Sequence, residues 1–176
     1  MLILFEFMKK SILFLLIAFP FLSIAQLKPI GSWTDHLPYR TGSSISTDGN
    51  LVYVGTSTGL FTYNVSDGAI SRYSKVNLLN GVDIARIKYN PFNQVLVVIY
   101  TNANIDLIRG NQVVNLPFIK ENGGINNKQV NDIQFDNEMA LVSFGFGIVE
   151  INTSRNEIAD TYRFGPNGDE IVVNSA

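Results

Sequence analysis

The stretch DGNLVYVGTSTGLFTY, residues 48–63, decides the fold of this 176-residue chain. The turn sequence Asp48-Gly49-Asn50 precedes one short run of β-branched and aromatic residues, and Ser57-Thr58 precedes another. Asp-Gly between apolar runs is a strong hairpin signal, because glycine adopts positive φ without steric cost. The stretch therefore predicts two antiparallel strands, at residues 51–56 and 59–64. Residues 43–47 and 69–74 flank them as two further strands, the last after a turn at Asp67-Gly68.

The same unit recurs about every 44 residues. The run GLFTY at 59–63 aligns with NIDLI at 104–108 and GIVEI at 147–151, at offsets of 45 and 43. The preceding runs at 51–54, 96–99 and 140–143 have offsets of 45 and 44, and Ile45, Ile87 and Ile133 have offsets of 42 and 46. Three independent positions that share one period are a specific signal of an internal repeat. The later units place turns at 90–93, 102–103, 110–111, 136–138, 144–146 and 154–156.

Four antiparallel strands every 40–50 residues are typical of a β-propeller blade. A leucine-rich repeat would be shorter, and a single β-sandwich would not contain an internal copy. We therefore predict an all-β partial β-propeller with blades near residues 40–75, 82–120 and 128–164. No amphipathic helix is predicted after residue 25.

A fourth blade is predicted to begin within residues 165–176. The run IVVN at 171–174 resembles KQVN at 128–131, with Val173 lying 43 residues beyond Val130. Propellers need about four to eight blades, so we expect a piece of a larger ring. Two open blade faces would leave on the order of 20 kcal/mol of apolar burial unrealised. Because domain stability is only about 5–15 kcal/mol, we expect the piece to be marginally stable alone.

Residues 1–25 have the features of a signal peptide. Lys9 and Lys10 precede an almost wholly apolar run at 11–21, and Ser23-Ile24-Ala25 supplies small residues for cleavage before Gln26. A retained membrane anchor is the alternative, although the run is short for a membrane helix. Met8 is the preferred initiator. Export makes residues 26–176 the expected mature part of this chain.

Composition narrows the function classes. The formal net charge of −2 produces no field that would attract phosphate backbones, so no nucleic acid partner is expected. The absence of cysteine excludes disulfides, thiol catalysis, thiolate metal sites and a lipidated N-terminal cysteine. We expect no cofactor, no metal and no catalytic residue.

Several residues are candidates for catalytic, metal-binding or phosphate-binding sites. His36 beside Asp35 could form a base and its orienting carboxylate, but no nucleophile signature accompanies them, so a packing role is favoured, with Trp33 as an apolar anchor. Asp132, Asp136 and Glu138 could ligate Ca²⁺, yet turn chemistry explains them better. Gly145 and Gly147 occupy a hairpin position, and a phosphate loop would need a following helix.

Basic side chains and tyrosines are candidates for contacts with a ligand. The basic residues show no cluster in sequence, and aromatic residues that could stack on sugars more often pack between blades. The basic residues are Arg40, Arg86, Lys88, Arg109 and Lys120, and the tyrosines are Tyr39, Tyr89 and Tyr100. Ligand-binding residues are therefore left unassigned.

Residues 48–63 resemble the repeat of two-component-regulator propellers, with Val52 or Tyr53 where that pattern has tryptophan. Longer runs are more specific: IGSWTDHLPY at 30–39, YSKVNLLN at 73–80, NIDLI at 104–108, FGIV at 146–149 and DTYRFGPNG at 160–168. In order and spacing they are similar to the start of PorZ-like proteins of the type IX secretion system, across residues 26–176. Members of that family continue through two propellers to a C-terminal β-domain.

The resemblance implies a non-enzymatic outer-membrane surface subunit. Such proteins belong to the attachment complex with the sortase PorU, PorV and PorQ, and are thought to present anionic lipopolysaccharide to that sortase. The alternative is the periplasmic sensor propeller of a hybrid two-component regulator. A propeller enzyme would need polar residues that repeat as a ring at the channel, and these blades show none.

Overall fold

The computed structural model describes residues 37–175. The signal-peptide prediction and the residues Trp33, Asp35 and His36 lie outside that part. The described residues form three four-stranded sheets. Blade 1 contains β1 (Gly42–Thr47), β2 (Leu51–Thr56), β3 (Leu60–Asn64) and β4 (Ile70–Tyr73); blade 2 contains β5 (Ile84–Asn90), β6 (Val95–Tyr100), β7 (Ile105–Arg109) and β8 (Gln112–Leu116); blade 3 contains β9 (Val130–Asp136), β10 (Met139–Phe144), β11 (Gly147–Asn152) and β12 (Glu157–Tyr162).

Every sheet is an antiparallel meander in chain order, which confirms the predicted three-blade architecture of a partial propeller. The turns fall where the sequence predicted them. Gly49 and Gly68 have φ of 99° and 72°, and Asn137 and Asn156 have φ of 50° and 58°. Glycine and asparagine tolerate these left-handed conformations best, so the turn residues end each strand locally.

Two short helical segments were not predicted. A single turn, α1 (Phe118–Glu121), follows Pro117 in the connection from blade 2 to blade 3, and a 3₁₀ turn covers Pro166–Gly168. One turn is too short to produce a helical hydrophobic period. Nevertheless α1 buries Ile119 completely in the core between blades 2 and 3. Within residues 37–175 no helix is long and apolar enough to cross a membrane.

Strand pairing corrects one alignment of the repeat. Ile45 pairs with Val54, and Ile87 pairs with Val98. Val54 therefore corresponds to Val98, not to Ile99, and the offset of the second strand is 44 rather than the 45 inferred from residue similarity. The physical reason is one extra residue in the β6–β7 turn, where Ile99 pairs with Ile105 while Gly55 pairs with Leu60, so that the third strand keeps an offset of 45. A one-residue slip in a strand moves a side chain to the opposite face, and Val98 and Ile99 belong to different cores.

The blades stack through their first strands. β5 contacts β1 on one side and β9 on the other. Each of these three strands carries a bulge at its start, at Ser43, Ala85 and Asn131. The Ser43 hydroxyl donates to the Ile84 carbonyl, which ties blade 1 to blade 2. The repeated bulge thus directs one residue of each inner strand toward the following blade.

The same tie recurs beyond blade 3. The Asn131 side-chain amide donates to the Val173 carbonyl over 2.8 Å, as Ser43 does to Ile84. The Val173 backbone N–H also donates to the carbonyl of Phe144 over 3.1 Å. Val173 therefore occupies the position that Ile84 has at the start of β5. This agrees with the alignment of Val173 to Val130 and with a ring that continues beyond blade 3.

Candidate functional site

A polar wall runs along the inner strands. A depression of about 260 Å³ opens between β1, β5 and β9. Alternate residues of these strands supply its polar side chains, because residues two apart point to one side of a strand. The polar side chains lining it are Ser44, Ser46, Arg86, Lys88 and Asp132. Strand pairing makes Ser44, Arg86 and Asp132 equivalent, so the expectation that no polar position repeats among the blades is wrong for the inner strands.

Arg86 and Lys88 tie blade 2 to blade 3. The Arg86 Nε donates to the Asn131 carbonyl over 3.0 Å, and its Nη1 to the neighbouring Ala85 carbonyl over 2.9 Å. The Lys88 Nζ donates to the Ile133 carbonyl and to the Gln134 side chain. A guanidinium has five N–H donors, so Arg86 retains donors for a ligand. The structure thus brings together two cations that are unremarkable in sequence.

The other candidate cations lie apart from this wall. Arg109 donates to the Asn156 side chain over 2.7 Å and to the Thr153 carbonyl, which makes it a second tie between blades 2 and 3. The Lys120 backbone carbonyl accepts a hydrogen bond from Lys128. These contacts are structural, and the cations do not converge on one ligand site.

A tyrosine cleft lies between blades 1 and 2. It encloses about 370 Å³ and is lined by Tyr53, Tyr73 and Tyr89, with Asp48 as the charged residue of the lining. The rings of Tyr53 and Tyr89 are stacked, with centroids 5.8 Å apart and planes inclined by 11°. Of these tyrosines, only Tyr89 was a sequence candidate. Repeat spacing puts Tyr53 and Tyr89 on different blades, and only the stacking of the blades joins them.

Asp48 sets the electrostatics of the tyrosine cleft. Its Oδ1 accepts the backbone N–H groups of Asn50 and Leu51, and its Oδ2 accepts the Tyr53 hydroxyl over 2.8 Å. Partial burial opposes ionisation, but these hydrogen bonds outweigh it and hold the Asp48 pKa below its ordinary value. Burial, the hydrogen bond to Asp48 and its charge raise the Tyr53 pKa. Burial and the same charge raise the Tyr89 pKa. The Asp48 carboxylate therefore gives the cleft a negative electrostatic potential.

The two other candidate tyrosines are unsuited to stacking on a ligand. Tyr100 is completely buried, and its hydroxyl donates to Asp106 over 2.5 Å. Burial and that hydrogen bond raise the Tyr100 pKa. Tyr39 packs edge-on against Phe61 and lies beneath the guanidinium of Arg72. Both rings serve packing, as most blade aromatics do.

Asp106 is a buried carboxylate that no sequence motif predicts as a site. It accepts hydrogen bonds from the Asn80 backbone N–H over 2.8 Å, from the Asn80 and Asn115 side chains, and from Tyr100. A buried charge persists only when it is fully hydrogen-bonded. The signal in sequence was an aspartate within the apolar run NIDLI. The network pins the connection from blade 1 to blade 2 onto β7.

Two of the three acidic candidates, Asp136 and Glu138, lie at the β9–β10 turn, whereas Asp132 lies within β9. Met139 pairs with Asp136, so that Asn137 and Glu138 close a two-residue hairpin loop. The Asp132 carboxylate accepts the Gln134 amide over 2.6 Å. Among residues 37–175 no group of three or more possible metal ligands converges. The turn interpretation therefore fits Asp136 and Glu138, and it is wrong for Asp132, a strand residue that lines the depression.

Gly145 and Gly147 are packed rather than open to a phosphate. Gly147 begins β11, so no helix follows it. A Cβ at Gly145 would lie 2.2 Å from the Asn127 side chain, and one at Gly147 would lie 2.0 Å from the Tyr162 carbonyl. Neighbouring atoms thus occupy the space that a phosphate would need.

Comparison with known proteins supplies the family. The family model of the PorZ N-terminal β-propeller domain of the type IX secretion system matches residues 52–176. PorZ of Porphyromonas gingivalis, described as an essential bacterial surface component of that system, aligns with a TM-score of 0.71 at 21% identity. The alignment covers 75% of this chain and 18% of PorZ. No curated protein sequence matches the chain.

Other propellers share the fold at lower similarity. The extracellular domain of a hybrid two-component system from B. thetaiotaomicron aligns with a TM-score of 0.60 at 15% identity, covering 77% of this chain and 18% of that one. A computationally designed protein aligns with a TM-score of 0.58 at 9% identity, covering 81% and 82% of the two chains. These likenesses support the fold, and the family match covers most of the sequence. The chain therefore belongs to the family of PorZ N-terminal β-propeller domains of the type IX secretion system.

Proposed function

We propose that the chain is part of a non-enzymatic, outer-membrane surface subunit of the type IX attachment complex, which helps present anionic lipopolysaccharide to the sortase. The observation that carries the proposal is the PorZ family match over residues 52–176. The sortase PorU, with PorV and PorQ, is the expected set of partners. Because the chain spans 18% of PorZ, this role belongs to the larger protein.

The polar wall of the inner strands is the part of the described chain best suited to an anionic sugar. Arg86 and Lys88 lie two residues apart on β5, opposite the single carboxylate of Asp132 in the depression. Arginine recognises phosphate and carboxylate through paired N–H groups. Arg86 and Lys88 would hold a phosphate or uronate group while remaining bonded to β9.

The test uses the complete gene in its native bacterium. Deletion is expected to leave cargo proteins unanchored, and the unmodified gene is expected to restore anchoring. The variant Arg86→Gln/Lys88→Gln should bind purified anionic lipopolysaccharide at least fivefold more weakly, and Arg40→Gln/Lys120→Gln is the charge-matched control. Normal anchoring in the deletion strain would refute the proposed function. Equal binding by both variants would refute only the assignment to the inner strands.

Export by residues 1–25 is a part of the proposal that can be tested separately. We expect the mature protein to begin at Gln26 and to be accessible to protease on intact cells. Mass spectrometry of the N-terminal peptide of the surface-exposed protein identifies the first residue, with Gln26 present as glutamine or as its cyclised pyroglutamate form. A retained N-terminal segment would instead support a membrane anchor.

A sensor propeller of a hybrid two-component regulator is the second candidate. It is favoured by the fold likeness to the extracellular domain of such a system. The two functions differ in what the complete gene encodes. A transmembrane helix and a kinase downstream would support the sensor, whereas a C-terminal β-domain without a kinase would support the secretion subunit.

A further inference from the structure

The tyrosine cleft between blades 1 and 2 has a chemistry that anionic lipopolysaccharide does not explain. Three tyrosine rings and one carboxylate line the same cavity of about 370 Å³. Within the part of the chain that the structure describes, no lysine or arginine lines this cavity. An anionic group would therefore meet a carboxylate without a compensating cation, which disfavours it.

Aromatic rings attract cations over their faces, and groups of rings are the usual receptors for alkylammonium ions. Tyr53, Tyr73 and Tyr89 are half-buried, so part of each ring remains accessible. The Tyr53 and Tyr89 rings are held parallel by their stacking at 5.8 Å. Such preorganisation lowers the cost of ordering the rings around a ligand.

Asp48 adds a charge of the right sign and retains free capacity. Among residues 37–175, its Oδ1 accepts two backbone N–H groups, whereas its Oδ2 accepts only the Tyr53 hydroxyl. A carboxylate oxygen has two lone pairs, so Oδ2 can accept one further hydrogen bond or face a cation. Its negative charge also reaches the Tyr89 hydroxyl, whose pKa it raises together with burial.

We infer that the tyrosine cleft is a binding site for an alkylammonium group, held over the rings of Tyr53, Tyr73 and Tyr89 and balanced by the Asp48 carboxylate. The inference goes beyond the proposed function and does not depend on it. The amide side chains of Gln94 and Asn111 also line the cavity and would hydrogen-bond to polar atoms on the ligand stem.

The test titrates the complete exported protein, in which the blades have their neighbours, with three probes. Choline supplies a quaternary ammonium, n-butylammonium a primary one, and 3,3-dimethylbutan-1-ol has the shape of choline without its charge. Saturation-transfer NMR and the ring shifts of labelled tyrosine report binding. We expect at least one cation to bind at least fivefold more tightly than the alcohol, because the attraction to the ring faces and to the Asp48 charge acts only on the cation. The two cations distinguish a quaternary ligand from a lysine-like one.

Variants locate the site. Tyr89→Leu should weaken binding of the cation about fivefold, because one ring is removed. Asp48→Asn should weaken it about threefold and reduce its salt dependence, and asparagine can retain the turn that Asp48 caps. Tyr162→Phe is the matched control. Its hydroxyl donates to Glu150 over 2.8 Å, as Tyr53 does to Asp48, but it lies on the exposed edge of blade 3.

Three outcomes would overturn the inference. The cations and the neutral alcohol could bind equally, which would indicate an apolar hole without charge selectivity. Neither cation could show binding at 100 mM. Alternatively, Asp48→Asn could bind the cation as tightly as the unmodified chain, which would remove the carboxylate from the site. None of these results bears on cargo anchoring, so failure here leaves the proposed secretion role intact.

Discussion

The two blade interfaces are built differently. The core between blades 2 and 3 contains sixteen buried residues, all aliphatic except for Phe144 and Phe146. The core between blades 1 and 2 contains eight, and the tyrosine cleft opens beside it. Because the free energy of burial grows with the apolar area removed from water, the interface between blades 2 and 3 is the more stable of the two. The comparison teaches that blades of one repeat can form interfaces of different composition, one closely packed and one that leaves a cleft.

One residue position contributes to the difference. Gly55 lies where blade 2 has Ile99 and blade 3 has Ser143, according to strand pairing. A Cβ at Gly55 would lie 2.6 Å from the Cγ2 of Ile84, so blade 1 approaches β5 closely there. Ile99 instead fills the core between blades 2 and 3. At the same repeat position, glycine in blade 1 lets the neighbouring strand β5 approach closely, whereas isoleucine in blade 2 fills the apolar core against blade 3.

The largest expected effect comes from the repeated isoleucines. Ile133 is 2% exposed, Ile87 is 4% exposed and Ile45 is 69% exposed on the open face of blade 1. Ile133→Ala should lower the free energy of unfolding by about 3 kcal/mol and Ile87→Ala by about 2 kcal/mol, because buried cavities are costly. Ile45→Ala should change it by less than about 0.5 kcal/mol. Urea titration of the isolated chain ranks all three variants. Because the piece is expected to be marginally stable alone, Ile133→Ala should be largely unfolded before urea is added. Equal losses would contradict the open face.

Asp106 tests the polar part of the interface between blades 1 and 2. In Asp106→Asn one oxygen becomes an N–H donor that faces the donors of Asn80 and Asn115, so we expect a loss of about 2–3 kcal/mol. Asp67→Asn is the control, because Asp67 caps an exposed turn by accepting the Ala69 N–H and asparagine can do the same. The measurement is the urea midpoint of unfolding. Equal midpoints for the two variants would show that the buried carboxylate does not stabilise the fold.

Gly55 tests the close approach of the two blades. Gly55→Ala should cost about 1–2 kcal/mol through overpacking against Ile84. Adding Ile84→Ala removes the contacting atoms, so the double variant should lose less than the sum of the single variants. Gly123→Ala is the control, since no atom lies within 4 Å of the added Cβ. Additive losses in the double-mutant cycle would place the strain elsewhere.

The smallest effect concerns two tyrosine–carboxylate pairs of equal length. The hydrogen bond to Glu150, then desolvation and nearby negative charge, raise the Tyr162 pKa to about 12. In ultraviolet titration, Glu150→Gln should return the Tyr162 pKa toward about 10. Because the folded pKa exceeds the unfolded one, the stabilisation is present below about pH 10 and disappears as pH rises through about 12. Tyr53 should ionise later than Tyr162, and the reverse order would contradict the enclosed cleft.

Much of the fold could be predicted from local patterns. Asp48-Gly49 and Asp67-Gly68 end strands through their own backbone preferences, and the repeat of Ile45, Ile87 and Ile133 identifies the inner strands. The alignment of Val54 was wrong by one residue, because similarity among valine and isoleucine cannot reveal the length of a neighbouring turn. The candidate site was less accessible. Single tyrosines and basic residues carry no sequence signal for a binding site, because the stacking of the blades brings them together. Arg86 and Lys88 line one depression because both side chains bond to β9.

By itself, the sequence determined that the chain builds blades, how many strands each blade has and where each strand ends. Those features depend on turn chemistry and on alternation within a few residues, which act locally. Only the tertiary structure decided which face of each strand meets which neighbour. It joined Asp48 and Tyr53 of blade 1 to Tyr89 of blade 2 in one cleft, and it enclosed Asp106 among donors from distant turns. These contacts arise because apolar blade faces must be buried against one another, and packing then fixes the polar groups between them.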